Sequence, residues 1–170
     1  MKKTILLVTA VMLMSACGLM QNSASSTPAA TSTTTTVSSN AQSAGQGAGS
    51  ALHALYTQYK ADGKYDYTNL QNAMNTVSLL SSCQGLKDNY KDAAYLKDFG
   101  KGMIASSLGL VTQNNVQTVT NSLVDMVKSN ENVQAATTQT QNAANTTASY
   151  LSTASQYAGS ISNLLSLFGK

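Results

Sequence analysis

The chain has 170 residues, enough for one domain of ordinary size, and its ten basic residues are all lysine against seven acidic ones, a net charge of +3. Without arginine there is no planar fork for bidentate capture of phosphate, which argues against a nucleic-acid groove or a phosphate clamp. One histidine and two cysteines fall short of a four-ligand structural zinc site.

The first element is a leader. Lys2 and Lys3 precede an apolar run from Ile5 to Met14, and the small residues Ser15 and Ala16 follow. This is the layout of a secretory signal. At about ten residues the run is too short for a hydrocarbon core, which needs roughly 20. Cys17 stands directly after the small residues. The stretch Met14-Ser15-Ala16-Cys17 resembles the lipobox of bacterial lipoprotein precursors, in which Leu, then Ala or Ser, then Gly or Ala precede Cys, with Met14 standing where Leu is most common. The resemblance covers only the first 17 residues and concerns processing, not activity. It implies cleavage between Ala16 and Cys17, with acyl chains such as palmitate on the Cys17 sulfur and on the new amino terminus. Gly18 in place of Asp then implies the outer membrane, and the absence of an acidic cluster over residues 18–22 implies its periplasmic face. Loss of residues 1–16 would remove Lys2 and Lys3 and lower the net charge from +3 to +1.

Residues 17–49 carry the lipidated cysteine and then a low-complexity run of Ser, Thr, Ala and Gly, without charge and with few large apolar side chains. Such a run cannot offset the entropy of ordering, so it reads as a disordered linker with an r.m.s. span of roughly 30 Å.

The remainder, 50–170, reads as an all-α domain, a helical bundle of about four to six helices. Leu52, Leu55, Tyr56 and Tyr59 fall on one face of a short helix that stops at Asp62-Gly63. Thr68 is the expected cap of a second helix, with a stripe of Leu70, Ala73, Met74, Val77 and Leu80 that ends near Gly85. A third opens at Asp88 or Asn89 and carries Tyr90, Ala93, Ala94, Leu96 and Phe99, with a break expected around Gly100, Gly102 or Gly109. Asp98 and Lys101 form an i,i+3 pair on its surface. Val116, Val119, Leu123 and Val127 mark a fourth. From Asn132 to Gly169 no residue is charged. There, Ala136, Ala143, Tyr150, Tyr157 and Leu164 recur every seven residues beside Thr140, Thr147, Ala154, Ile161 and Phe168, and beside Ala144, Leu151, Ala158 and Leu165. These columns fill an arc of about 100°, the width of a core-facing stripe. Ser152, Thr153, Ser155, Gln156, Ser162 and Asn163 fall on the opposite side.

Chemistry-bearing patterns are sparse. Gly100-Lys101-Gly102-Met103-Ile104-Ala105 matches G-x-G-x-x-A, with Asp125 about twenty residues on, but a dinucleotide site needs a preceding strand and residues 94–99 read as helix. Asp88, Asp92 and Asp98, interleaved with Lys87, Lys91 and Lys97, have helical spacing and not that of a calcium loop. If Cys17 carries lipid, Cys83 is left without a disulfide partner, and its apolar setting reads as core. His53 is the sole imidazole, placed at a surface or core edge. Tyr56, Tyr59, Tyr65 and Tyr67 read first as packing and second as a binding face.

The expected protein is a lipid-anchored envelope lipoprotein whose helical domain is non-enzymatic and serves a structural or protein-interaction role, without a cofactor or metal. Its expected partners are the membrane, through acyl chains on Cys17, and an envelope protein or a second copy met through the C-terminal helix. A second reading places the uncharged C-terminal helix on the bilayer surface. A third, an envelope-polymer hydrolase using His53 or an acidic residue, has less in its favour.

Overall fold

The computed structural model describes the backbone of residues 33–129 and 147–169, and the side chains of 40–129 and 147–169. Among the described residues there are five helices and no strand: α1 (Thr33–Asp62), α2 (Leu70–Asn89), α3 (Ala93–Ser106), α4 (Val116–Lys128) and α5 (Thr147–Ser166). The all-α reading holds.

The largest departure from expectation is α1. It begins at Thr33 and runs for 30 residues, so the second half of the expected linker belongs to a helix. Ala41 and Ala48 are fully buried. With Gly45 and Gly49 they form one face at i, i+4, i+7 and i+8, and that face lies on α3. The reason is close approach. A Cβ on Gly45 would meet the Phe99 carbonyl, and one on Gly102 would meet the Gln42 carbonyl and the Gln46 amide. Ser106 Oγ completes the contact, its one proton shared between Gln46 O at 2.7 Å and Gly102 O at 3.1 Å. Small residues carry no hydrophobic periodicity, so the pattern that marks flexible chain also marks a helix on which another backbone rests. The C-terminal half of α1 follows expectation. Leu52 and Leu55 are fully buried, and the helix stops where Gly63 takes φ +69.

The cap of α2 is Asn69, one residue beyond Thr68. Its Oδ1 accepts from Gln71 N at 2.9 Å and Asn72 N at 3.2 Å. Thr68 turns back instead, donating through both its amide and its hydroxyl to Asp66 Oδ1, at 2.9 and 2.6 Å. Those two bonds hold the Asp66 carboxyl below the usual carboxylate range, the hydroxyl having the larger effect. The buried face of α2 is rotated from the expected stripe. It runs through Asn72, Ala73, Thr76, Leu79, Leu80, Cys83 and Leu86, while Leu70 and Met74 are each 41% exposed. Two polar residues enter the interior, each with a hydrogen-bond partner there, although Asn72 Oδ1 is buried without one. Asn72 Nδ2 donates to Asp66 O at 2.9 Å, and the Thr76 and Tyr65 hydroxyls lie 2.6 Å apart.

α2 continues past Gly85 to Asn89, and α3 is capped by Asp92, not by Asp88 or Asn89. Asp92 Oδ1 accepts from Ala94 N at 2.9 Å and Tyr95 N at 3.2 Å. The buried face of α3 is Tyr95, Phe99, Gly100, Gly102 and Met103, and Ala93 and Ala94 are exposed. The helix passes unbroken through Gly100 and Gly102. The break comes later, where Leu108 takes φ 50 and Gly109 φ 85.

α4 buries Val119, Leu123 and Val127 as expected, with Thr120 and Met126 beside them. α5 is the described part of the expected C-terminal helix; residues 130–146, with Ala136, Thr140, Ala143 and Ala144, lie outside the described residues. Ala154, Tyr157, Ile161, Leu164 and Leu165 are buried, as the heptad columns require. Thr153 is buried as well, which widens the stripe by one residue on the side expected to be polar. α5 lies mainly on α2, which also receives α1 and α4. The core therefore sits around Leu79, Leu80, Cys83 and Leu86.

Burial raises the phenols of Tyr65, Tyr95 and Tyr157 above their ordinary value of 10.0, and it raises the Cys83 thiol above 9.0. These groups hold their protons more tightly in the folded chain than in the unfolded one. Their contribution is therefore complete below pH 9.0 and is lost as pH rises through 10.0 and beyond. On alkaline titration, helical circular dichroism should fall in step with the appearance of buried tyrosinate. Full ionisation of the tyrosines with the helices intact would contradict this.

Candidate functional site

Ala16 and Cys17, the expected cleavage and lipid-attachment residues, lie outside the described residues. The other thiol, Cys83, is fully buried, and burial is the sole cause of its raised pKa. No imidazole or lysine charge offsets that desolvation, so Cys83 is a core residue and not a nucleophile. His53 sits on α1, half-buried, as a core-edge residue.

The aspartates are dispersed over three tasks. Asp92 caps α3, Asp98 meets Lys101 at 2.8 Å, and Asp88 is exposed near the end of α2. No group of three His, Cys, Asp or Glu side chains capable of holding a metal ion occurs among the described residues. The G-x-G-x-x-A stretch lies within α3, with its glycines against α1 and α4. Backbone amides inside a helix are already bonded to carbonyls four residues back, so they cannot cradle a phosphate.

Three of the four clustered tyrosines are used in packing. Tyr65 is buried with its hydroxyl on Thr76. Tyr56 stacks with Tyr59 at 6.4 Å and meets Phe168 edge-on at 5.7 Å, while its hydroxyl donates to Phe168 O at 3.0 Å. These contacts fasten the end of α5 to α1. Tyr67 alone is well exposed, at 43%. At the other end of α2, the ammonium of Lys128 lies 4.2 Å from the centre of the Tyr90 ring, a cation–π contact that ties α4 to the α2 terminus.

The apolar face of α5 is the one packed against α2, so a helix lying on the bilayer would have to leave that core contact. No helix among the described residues is long and apolar enough to cross a membrane.

Among the described residues, one further feature with the shape of a site is a groove of about 460 Å³ between α3 and α4. Its apolar floor is Leu96, Gly100, Ile104 and Val116. Lys97 and Lys101 stand on the α3 side, and Gln113, Gln117 and Asn121 stand on the α4 side. Gly100 lets the helices close here: an added Cβ would come within 3.0 Å of Val116 Cγ2. The turn before α4 is fixed by Asn115, which accepts from Thr112 N at 2.7 Å and donates to Leu110 O at 3.0 Å. Sequence reasoning took Gly100 as a helix break and part of a nucleotide motif, took Lys101 as part of that motif and as the partner of Asp98, and missed the groove. One signal was present: Leu96, Gly100 and Ile104 recur at i, i+4, i+8, apart from the face set by Tyr95, Phe99 and Met103.

Comparison of the chain with protein-family models, with curated proteins and with solved structures finds no match in any of the three.

Proposed function

We propose that the chain is a lipoprotein of the bacterial envelope, held to the periplasmic face of the outer membrane by acyl chains on Cys17, whose helical body acts by binding and not by catalysis. The observation that carries this reading is Met14-Ser15-Ala16-Cys17 placed directly after Lys2-Lys3 and the apolar run to Met14. Burial of Cys83 supports it, since the second thiol is committed to the core and Cys17 is left to carry the lipid. The start of α1 at Thr33 shortens the span between anchor and body relative to a linker ending at 49. Residues 18–32 can reach at most about 50 Å when fully extended. Confinement to such a shell raises the effective concentration of the body toward partners in the same membrane without any added contact.

Intact-mass measurement of the mature chain from a bacterial envelope tests the reading. It should lack residues 1–16 and carry a diacylglyceryl group on the Cys17 sulfur and a further acyl group on its amine. A bare sulfur, or a retained leader, would overturn it.

A further inference from the structure

We propose that the groove between α3 and α4 binds an extended peptide segment in which apolar and acidic side chains alternate, and that the body grips its protein partner there. This rests on the binding role assigned above and names the chemistry of the partner.

Charge is the first argument. No acidic residue lines the groove, and two lysines do. Lys97 is followed by Asp98, as Lys87 is by Asp88 and Lys91 by Asp92, but Asp98 is not among the residues that line the groove. Lys101 is paired with Asp98, yet its side chain stays 55% exposed, so the pair is open to a competing carboxylate.

Register is the second. Residues four apart on a helix are separated by about 6 Å along its axis. Alternate residues of an extended chain are separated by about 6.6 Å. The spacing of Gln117 and Asn121 on one side, and of Lys97 and Lys101 on the other, is therefore close to that of every second residue of an extended strand. Side-chain amides both donate and accept, as a peptide backbone does, so the α4 side can hold the main chain whatever its sequence. Alternate side chains then point down to Leu96, Ile104 and Val116. The others point outward, where the long lysine stems reach their carboxylates. From Ala93 to Ile104 the α3 side is about 16 Å long, room for about five extended residues.

The amides also decide between a peptide and an anionic lipid. An alkyl chain in the groove would cover Gln113, Gln117 and Asn121 without offering them a hydrogen-bond partner, which opposes its binding.

The test is an NMR titration of the full chain carrying Cys17→Ser with the blocked peptide Leu-Glu-Leu-Glu-Leu-Glu. A second arm uses the same peptide with Lys in place of Glu, and a third uses dodecyl phosphate. The acidic peptide should bind saturably with Kd below about 1 mM, shift residues 93–104 and 113–121, and bind at least about tenfold more tightly than the basic peptide. Lys97→Glu with Lys101→Glu should reverse that preference. Should the double variant lose its helical circular dichroism, Lys97→Glu alone carries the comparison. No saturable binding, shifts centred elsewhere, an unchanged preference in the charge-reversed variant, or occupancy by dodecyl phosphate and not by peptide would each overturn the proposal. The titration needs no lipid on Cys17, so its failure leaves the anchoring proposal standing, and a bare Cys17 sulfur leaves the groove result standing.

Discussion

Replacing Gly102 by alanine should destabilise the domain by about 3 kcal/mol, lowering Tm by roughly 10 °C. The sign is the informative part. In a helix with room around it, alanine is favoured over glycine by about 1 kcal/mol, because glycine loses more backbone freedom on folding. At Gly102 the added methyl would meet the Gln42 carbonyl and the Gln46 amide, and backbone atoms of a packed helix cannot swing aside as a side-chain end can. α1 and α3 would have to separate, loosening the contacts around Phe99 and Met103, both fully buried. Gly45→Ala should behave in the same way, since its methyl would meet the Phe99 carbonyl. The double variant should lose less than the sum of the two, because both act on one crossing. Gly159 on α5 is the control. Nothing lies within 4 Å of a Cβ built there, so Gly159→Ala should stabilise by about 0.5–1 kcal/mol. Chemical denaturation of the four variants reads all of this. A Gly102→Ala chain as stable as Gly159→Ala would mean that the α1–α3 crossing is not the close one described.

Cys17→Ser should release the protein from the membrane entirely when residues 1–16 are replaced by an ordinary cleavable secretion signal. The replacement matters because an uncut leader would itself hold on through its apolar run. A single myristoyl-length chain gives a membrane association constant of only about 10⁴ M⁻¹, whereas two or more chains are retained stably, each buried methylene contributing about 0.8 kcal/mol. The serine variant has no chain at all. Its described helices include none that could span a bilayer, and the apolar face of α5 is occupied by α2. Fractionation after an alkaline wash should find wild-type protein in the membrane pellet and the variant in the supernatant. If the variant pelleted like wild type, the attachment would reside in the helical body, which is the outcome a surface-lying α5 requires.

Much of the architecture was legible because large apolar residues announce their own periodicity. Val119, Leu123 and Val127 on α4, and Tyr157, Ile161 and Leu164 on α5, are buried where their spacing places them, and Gly63 ends α1 where a left-handed residue is needed. The local signals misled by one turn or less wherever two polar residues competed for one role. Thr68 and Asn69 could each cap α2, and only the fold shows that Asp66 claims the first. The rotation of α2 was hidden for a related reason: Asn72 and Thr76 are internal because Asp66 and Tyr65 meet them there, and neither partner can be read from spacing on α2 itself.

Chain chemistry alone therefore settled that the domain is helical and where its large side chains turn inward, and it supplies the Met14-Ser15-Ala16-Cys17 pattern on which the anchoring proposal rests. Tertiary structure decided that Ala41, Gly45, Ala48 and Gly49 enter the core, how α2 and α3 are rotated, and that a lysine- and amide-walled groove opens between α3 and α4. The physical reason is common to all three. A large apolar side chain carries its burial energy in itself, whereas a glycine, a buried hydroxyl or a groove gains its meaning only from the neighbour that distant chain brings to it.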